Sequence, residues 1–246
     1  EIFHIIKSVH PPLPKPMSSA RGLVSLDPFQ VILDLIKTLL STEKIKIMKQ
    51  QGDLLLGSLL VRESRLVATL ILTASTEAVW TEQILAKNIL QKKSPATAAR
   101  LTRGLRKRLS PLDKKLLQTL IDADDRLAKQ IILTSILHAN RLLLGFFKTV
   151  LADAYLNHQE RLHLYQWDDY VMEYSRNDSS ILLWSHTSLK KVRQIIIRIL
   201  AESGYLSDTK TRRLQRVIVD PELQKTLEQL HMQEVLNGLR LRDGRR

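Results

Sequence analysis

Residues 91–109 read QKKSPATAARLTRGLRKRL and combine a helix-start signal with a regular spacing of apolar and basic side chains. Ser94 followed by Pro95 is typical of a helix start, because the serine oxygen caps an orphan N–H and proline lacks the donor that the first helical position leaves unused. Apolar side chains then recur at helical spacing, at Ala98, Leu101, Leu105 and Leu109. The stretch therefore predicts an amphipathic helix over 95–109.

Similar signals along the chain predict an all-α fold. Proline follows Ser or Asp at three further points, Asp27-Pro28, Ser110-Pro111 and Asp220-Pro221. Strand-like alternation is scarce, and only residues 214–219 are predicted to form one arm of a short hairpin. The predicted helices cover 28–40, 54–74, 77–90, 95–109, 111–121, 125–157 with a break near Asn140, 166–175, 186–203 and 221–236. We expect a compact, multi-helix globular domain.

The positive charge is gathered in two segments. The formal net charge is +13 and the isoelectric point is near 10.0. Residues 87–115 carry ten basic side chains against Asp113 alone, and residues 186–216 carry eight against Glu202 and Asp208. The rest of the chain is slightly acidic. This balance favours a polyanionic partner.

The first basic segment has the order of a helix-turn-helix. A helix ends near Leu90, a short turn follows, and the helix over 95–109 turns its polar side chains outward. Only the first turns of such a helix would enter a major groove, while later cations would reach phosphates. The predicted DNA-binding residues here are Lys92, Lys93, Ser94, Thr97, Arg100, Arg103 and Lys107.

The second basic segment repeats the pattern and adds a possible wing. Leu189, Val192, Ile196 and Ile199 are predicted to face inward, and Gly204 ends the helix. A basic loop and the β-like run follow, as in a winged helix-turn-helix. The predicted DNA-binding residues are Thr187, Ser188, Lys190, Lys191, Arg193, Gln194 and Arg198 on the helix, and Lys210, Arg212 and Arg213 in the loop. The alternative is that both charged faces are simply solvated.

The sequence favours a cytoplasmic protein without catalytic or metal-binding residues. It has no Cys, and its uncharged runs are shorter than the roughly 20 residues that cross a bilayer. No phosphate-binding glycine motif occurs, and His158 and His163 lack metal-ligand spacing. Asp124-Asp125 and Asp168-Asp169 are interpreted as helix-start residues, and the tryptophans as core. We expect no cofactor, no metal and no membrane contact.

Five blocks resemble the BrxA family of bacteriophage exclusion (BREX) defence systems. They are DLLLGSLLVRESRLVATLIL from Asp53, NILQKKSPATAAR from Asn88, NRLLLGFFKTVLADAYL from Asn140, WSHTSLKKVRQIIIRILAESGYL from Trp184, and DTKTRRLQRVIVDPELQKTLEQL from Asp208. The blocks run in family order. Ser188 stands where Thr is expected, which keeps the hydroxyl group.

The resemblance implies a compact all-α fold that binds double-stranded DNA. It also implies action beside a site-specific DNA methyltransferase, a phosphatase-like protein, an ATPase and a Lon-like protease. The matching positions include Lys92, Lys93, Ser94, Thr97 and Arg100 in one block, and Lys190, Lys191, Arg193 and Gln194 in another.

The chain is predicted to divide into three parts. Residues 1–47 form a Pro-rich extension with one helix and no family counterpart, residues 48–236 form the helical DNA-binding domain, and residues 237–246 form a basic tail. We expect a non-enzymatic double-stranded DNA-binding component of a BREX system. The alternatives are an RNA-binding or protein-bridging module, and a nuclease.

Overall fold

The structure is a computed structural model that describes residues 56–74, 76–178, 181 and 184–241. These residues belong to one compact unit. The helices are α1 Val61–Thr73, α2 Glu77–Thr81, α3 Pro95–Leu109, α4 Lys114–Asp122, α5 Asp125–Ala139, α6 Arg141–Phe146, α7 Ala152–Leu156, α8 Leu164–Ser175, α9 His186–Glu202, α10 Pro221–Gln229 and α11 Gln233–Leu239. The predicted all-α fold is confirmed, and no strand beyond isolated bridges occurs in the described ranges.

Helix α5 lies at the centre of the fold. Every side chain from Ile131 to Leu137 is buried, whichever face of the helix it occupies, as expected of a helix surrounded by others. Helices α1, α3, α4, α6 and α11 all contact it. The core prediction for Trp80, Trp167 and Trp184 is confirmed, since each is less than a tenth exposed.

Two of the four predicted proline starts are confirmed. Ser94 and Asp220 cap α3 and α10 with their side-chain oxygens, and proline is the first residue of each helix. The start predicted at Ser110-Pro111 is wrong, because Ser110 still donates its N–H to Arg106 at the end of α3 and Asp113 caps α4 instead. Asp27-Pro28 and the helix predicted over 28–40 lie outside the described residues.

Several helices are shorter than predicted because residues with positive φ lie inside the predicted ranges and interrupt them. Gly57 and Leu60 have φ of 85° and 57°, so the chain turns there and α1 begins only at Val61. The helix predicted over 77–90 ends after a single π-helical turn at Glu82–Ala86. Asn88 then adopts φ 45° and its side chain bonds the backbone of Lys92, which fixes the turn before α3.

The predicted break near Asn140 is confirmed. The side chain of Asn140 accepts the Leu143 N–H at 2.8 Å and caps α6. A π turn at Phe147–Leu151 joins α6 to α7. The chain bends by 109° between Asp125–Ala139 and Arg141–Leu156.

The C-terminal helix predicted over 221–236 is two helices. Helix α10 ends at Gln229, and His231 with φ 55° turns the chain into α11. Val235, Leu236 and Leu239 are buried in the core. The three-part division of the chain stays a prediction, although packing against the core continues to Leu239.

Candidate nucleic-acid interface

Helix α3 presents one apolar and one basic face, as predicted. Ser94 Oγ accepts the N–H of Thr97 at 3.2 Å and donates to Thr97 Oγ1 at 2.9 Å. Ala98, Leu101, Leu105 and Leu109 are buried. The exposed side is formed by Thr97, Arg100, Arg103 and Lys107.

The two lysines of the turn before α3, Lys92 and Lys93, differ in their contacts with the protein. Lys92 Nζ forms an ion pair with Glu63 Oε1 at 2.7 Å, and both side chains are mostly buried. Burial raises the pKa of Glu63, but hydrogen bonds from Lys92 and the backbone and the charges of Lys92 and Arg62 outweigh it and hold the pKa below its ordinary value of 4.5. Lys93 is exposed. Lys92 would therefore have to give up an ion pair to reach a phosphate, whereas Lys93 would not.

Two arginines of the first basic segment hold the fold together. Arg106 lies 4.4 Å from the Trp80 ring centroid and forms an ion pair with Glu77 at 2.9 Å. Arg108 is fully buried and donates to the carbonyls of Ser58 and Leu59 at 3.0 and 3.3 Å. The charge of this segment is therefore not all available to a ligand.

Helix α9 has the same two-sided arrangement. Ser185 Oγ accepts the N–H of Ser188 at 3.1 Å and caps the helix. Val192, Ile196 and Ile199 are buried as predicted, and Leu189 is half-buried. The exposed side chains are Thr187, Lys190, Lys191, Gln194 and Arg198. Ser188 is half-buried beside its cap, and Arg193 forms an ion pair with Asp168 of α8.

Asp168 and Asp169 do not start a helix, which corrects the sequence prediction. Helix α8 begins at Leu164, so both residues lie in its second turn. The carboxylate of Asp168 accepts a hydrogen bond from the guanidinium group of Arg193 on α9. By contrast, Asp124 caps α5 as predicted, accepting the N–H of Leu127 at 2.7 Å.

A minimal hairpin follows α9. Leu206 and Leu214 form an antiparallel bridge, with Ser207 N–H donating to Arg213 and Gln215 N–H donating to Tyr205, each at 2.9 Å. The hairpin arm predicted over 214–219 is therefore shifted, because pairing ends at Gln215. Residues beyond it run on unpaired toward α10.

The tip of the hairpin is held by Asp208. Its carboxylate accepts the backbone N–H of Lys210 at 2.6 Å and of Thr211 at 2.8 Å, together with the hydroxyls of Thr211 and Ser207. These bonds, led by the Thr211 hydroxyl, hold the pKa of Asp208 well below its ordinary range. Lys210 is exposed at this tip.

The two arginines of the hairpin, Arg212 and Arg213, differ in their contacts and exposure. Arg212 Nε donates to the Leu162 carbonyl at 3.1 Å, which ties the hairpin to the segment before α8. Arg213 is exposed but forms an ion pair with Glu160 at 3.6 Å. The backbone of Arg161 forms an antiparallel bridge with the backbone of Arg213. The half-exposed side chain of Arg161 adds a cation here that the count of basic residues missed, because it lies outside both basic segments.

The two basic helices meet at one residue, Leu59. Glu202 Oε2, at the end of α9, accepts the Leu59 N–H at 2.7 Å. Arg108, at the end of α3, donates to the Leu59 carbonyl. Arg198 also reaches the carbonyl of Gly57 at 3.5 Å. The segment before α1 therefore joins the C-terminal ends of α3 and α9.

The exposed faces keep a set of cations without protein partners. Within the described part of the chain, no carboxylate lies within ion-pair distance of Lys93, Arg100, Arg103, Lys190 or Lys191. Helix α3 contains no acidic residue, and the only one in α9 is Glu202. Both faces thus present positive charge that the protein does not neutralise.

The described residues lack the features of a metal site and of a single membrane-spanning helix. They contain no group of three or more His, Asp and Glu side chains arranged to hold a metal ion. No single helix among them is long and apolar enough to cross a membrane, and one bent pair, Asp125–Ala139 with Arg141–Leu156, passes that test by length and composition.

Comparisons with known proteins give consistent matches. A family model described as BrxA matches residues 49–231. A BREX protein BrxA from Escherichia coli O9:H4 (strain HS) is 34% identical over 188 residues, covering 76% of this chain and 88% of that protein. Another from Paramagnetospirillum magneticum (strain AMB-1) is 30% identical over 193 residues, covering 78% and 97%.

A solved structure matches the fold over a similar share of the chain. It is described as the crystal structure of an uncharacterized protein from Magnetospirillum magneticum, and it superposes with a TM-score of 0.70 at 28% sequence identity. The match covers 78% of this chain and 99% of that one. Sequence and fold therefore agree on nearly the same extent of similarity.

Proposed function

Since the chain belongs to the BrxA family of BREX phage-defence systems, we propose that it is their cytoplasmic, non-enzymatic, double-stranded DNA-binding component. The family resemblance predicted from five sequence blocks is confirmed. The protein acts with other BREX components, and we assign its DNA contacts to the exposed faces of α3 and α9. Most of these contacts are to phosphates.

The observation that carries this proposal is the set of unpaired cations on α3 and α9. A polyanion would neutralise them, and duplex DNA offers closely spaced phosphates together with release of condensed counterions. Lys93, Arg100 and Arg103 lie along one helix, and Lys190 and Lys191 along the other. Lys107 and Arg198 extend these faces.

The length of α3 determines how it would meet DNA. Its 15 residues span about 22 Å, so the helix is longer than the major groove is wide, which is roughly 12 Å. The first turns, with Thr97 and Arg100, would enter the groove. Arg103 and Lys107 would lie against phosphates, which position the protein without reading sequence.

The second basic segment supports the same proposal. Helix α8, helix α9 and the hairpin follow one another in the order of a winged helix-turn-helix. In that arrangement α9 enters the groove and Lys210 and Arg213 approach the neighbouring backbone. Asp208 holds the tip in one conformation, which lowers the ordering cost on binding.

Duplex DNA is favoured over single strands by the burial of the tryptophans. Proteins that bind single strands stack bases on exposed aromatic rings. Trp80, Trp167 and Trp184 are 6%, 2% and 7% exposed and therefore offer no stacking surface. Among the described residues, Tyr165 on α8 is the one large aromatic side chain that is mostly exposed, at 60%, so a single ring rather than a row of rings is available.

The proposal is tested by fluorescence anisotropy with labelled duplex DNA. For six to ten phosphate contacts, affinity is expected to fall about 10³ to 10⁵-fold between 50 and 200 mM salt. The double variant Arg100→Glu/Arg103→Glu should bind at least about tenfold more weakly and lower the salt slope by about two. Circular dichroism checks that it folds.

The matched control is Arg141→Glu/Lys225→Glu, which makes the same charge change on exposed cations of α6 and α10, outside both basic segments. It should bind nearly as the natural chain does. Equal loss in both double variants would show that net charge, not the α3 face, drives binding. An affinity insensitive to salt would refute phosphate contacts altogether.

The alternative functions are separated by competition and incubation. Duplex RNA that displaces labelled DNA at equal concentration would favour an RNA-binding module. Failure to bind either nucleic acid, with retention of a purified BREX component, would favour a protein-bridging module. Cleavage of DNA in the presence of Mg²⁺ or Mn²⁺ would contradict a non-enzymatic role.

A further inference from the structure

Residues 160–162, just before α8, lie antiparallel to the second arm of the hairpin. The N–H of Leu162 donates to the Arg212 carbonyl at 2.9 Å, and the N–H of Leu214 donates to the Glu160 carbonyl at 3.0 Å. The hairpin itself supplies the other two strands. A third short strand therefore extends the hairpin into a small antiparallel sheet.

Arg161 and Arg213 are enclosed by these two backbone bonds and lie directly opposite each other. They form an antiparallel bridge, but neither donates its N–H to the other. In such a non-hydrogen-bonded pair the two Cα atoms are about 4.5 Å apart, and the side chains are closer than in the hydrogen-bonded kind. Like charges placed directly opposite each other destabilise a sheet. The backbone thus holds two guanidinium groups side by side against their repulsion.

Both arginines lie on the outer face of this sheet. Successive side chains of a strand point to opposite faces. Leu162 and Leu206 are buried on the inner face, so Arg161 and Arg213 point to solvent. The outer face consists of the exposed polar side chains of Arg161, His163, Ser207, Thr211, Arg213 and Gln215.

One carboxylate, that of Glu160, is shared by the two guanidinium groups. It lies 3.9 Å from Arg161 and 3.6 Å from Arg213, which is too long for a hydrogen bond, and all three side chains are more than half exposed. Exposed ion pairs of this kind contribute little. Asp208 directs its carboxylate to N–H groups at the hairpin tip instead. Residues 160–163 and 205–215 together carry a net charge of +2, from Arg161, Lys210, Arg212 and Arg213 against Glu160 and Asp208.

We propose that Arg161 and Arg213 together bind a phosphate of the DNA backbone, which makes the strand before α8 a part of the wing. This inference rests on the proposed function and adds to it a contact from outside both basic segments. A guanidinium group donates to phosphate oxygens through a planar fork of N–H groups. Two adjacent forks can surround one phosphodiester group, and its charge offsets the repulsion that Glu160 reduces only in part.

A phosphodiester fits this face better than an acidic segment of a protein does. Protein interfaces are anchored by buried aromatic or apolar side chains, whereas the outer face of the sheet offers polar side chains only. The Tyr165 ring lies at its border, stacked on His163 with the ring centroids 5.4 Å apart. Interfaces with DNA are polar and positively charged. The hairpin also begins within a few residues of the end of α9, whose exposed face is a proposed DNA contact.

The experiment is arginine footprinting of the full chain with phenylglyoxal, read residue by residue by mass spectrometry. The chain is modified alone and with a short duplex DNA. With DNA at about ten times its Kd, roughly a tenth of the chain stays free, so modification of Arg161 and Arg213 should slow about tenfold. The exposed control Arg141 of α6 should react at an unchanged rate. Arg100 and Arg103, read in the same samples, test the α3 face separately.

A double variant separates a role in binding from a role in the fold. Arg161→Gln/Arg213→Gln should weaken DNA binding about tenfold or more and lower the salt slope by about two. Its urea midpoint should stay the same or rise, because a like-charge pair is lost. The control Arg141→Gln/Lys225→Gln removes the same charge from α6 and α10 and should bind nearly as the natural chain does. A lowered midpoint with unchanged affinity would assign the pair to the fold and overturn the inference.

The footprint distinguishes this inference from the proposed function. Protection of Arg100 and Arg103 without Arg161 and Arg213 would overturn the inference and leave DNA binding by α3 in place. Protection of Arg161 and Arg213 alone would support it and contradict the assignment of α3. Protection of neither pair would overturn both. If a purified BREX component protects the sheet arginines and DNA does not, the pair is a protein contact and the inference is overturned as well.

Discussion

Gly145 lies against the hydroxyl group of Tyr170, and substitutions at these two positions test whether α6 and α8 pack as described. Tyr170 of α8 donates its hydroxyl to the Leu142 carbonyl at 2.8 Å, and burial raises the pKa of Tyr170 so that the donor stays protonated. A Cβ added at Gly145 would lie well inside contact distance of that hydroxyl oxygen, while the ring carbon Cζ would be 3.4 Å away. Gly145→Ala must therefore displace the hydroxyl.

The size of the effect follows from three contributions. Displacing the hydroxyl loses a hydrogen bond of about 0.5–1.5 kcal/mol. Forcing a methyl group into a packed contact costs about 1–3 kcal/mol. Alanine in helix α6 regains about 1 kcal/mol relative to glycine. We expect Gly145→Ala to lower the free energy of unfolding by about 2 kcal/mol.

Tyr170→Phe is the matched partner, because it removes only the hydroxyl group. By itself it should lower the free energy of unfolding by about 1 kcal/mol. In that background Gly145→Ala meets only the ring carbon, so it should be neutral or stabilising by up to about 1 kcal/mol. The two changes should therefore be coupled by about 2–3 kcal/mol.

Urea unfolding of the four proteins measures this coupling. With a denaturant slope of about 2 kcal/mol per molar urea, a loss of 2 kcal/mol moves the midpoint by about 1 M. Unfolding free energies that add within about 0.5 kcal/mol would refute the contact between Gly145 and the Tyr170 hydroxyl. A change in slope among the variants would also remove the basis for comparing them.

Two further predictions concern carboxylates that hold the basic helices. Glu202→Leu should lower the free energy of unfolding by about 1–3 kcal/mol, because it leaves the buried Leu59 N–H unpaired, whereas Glu202→Gln keeps an acceptor and should lose less; equal losses in urea unfolding would contradict this bond. Because the pKa of Glu63 is lowered in the folded protein, its ion pair with Lys92 stabilises the fold above the unfolded pKa of about 4 and the stabilisation is lost as pH falls through the folded value. Glu63→Gln should therefore be less stable than the natural chain at pH 7 and differ less at about pH 3, and a difference that does not depend on pH would argue against the ion pair.

A helix start marked by a capping residue before proline could be predicted from the sequence where no second cap followed closely. Ser94 and Asp220 are each followed by proline with no rival cap nearby, and both predictions hold. At Ser110-Pro111 the chain offers Asp113 three residues later. Leu112 is buried between them, so the chain must reach the core before the next helix begins, and Asp113 becomes the cap. Local signals do not show which of two caps the core will select.

The faces of α3 were predictable from periodicity, but the partners of its cations were not. Arg108 follows Leu101 by seven residues, which places it on the inward face of the helix with Leu105. The sequence did not indicate the acceptors of Arg108, which are the carbonyls of Ser58 and Leu59, about fifty residues earlier in the chain. Long-range partners of this kind decide which charges remain free.

The proposed interface is smaller than the charge count suggests, because some of the counted cations are already paired within the protein. Glu63 and Glu77 lie outside the first basic segment, yet they pair with Lys92 and Arg106 within it. A count by segment assigns those acids to the rest of the chain and leaves the cations uncompensated. Because duplex DNA responds to free cations rather than to net charge, reversing Lys93, Arg100 or Arg103 should weaken DNA binding more than reversing Lys92 or Arg106, each of which would mainly lower stability. Equal weakening at all five positions, with unfolding free energies unchanged, would show that the ion pairs of the free protein open when DNA binds.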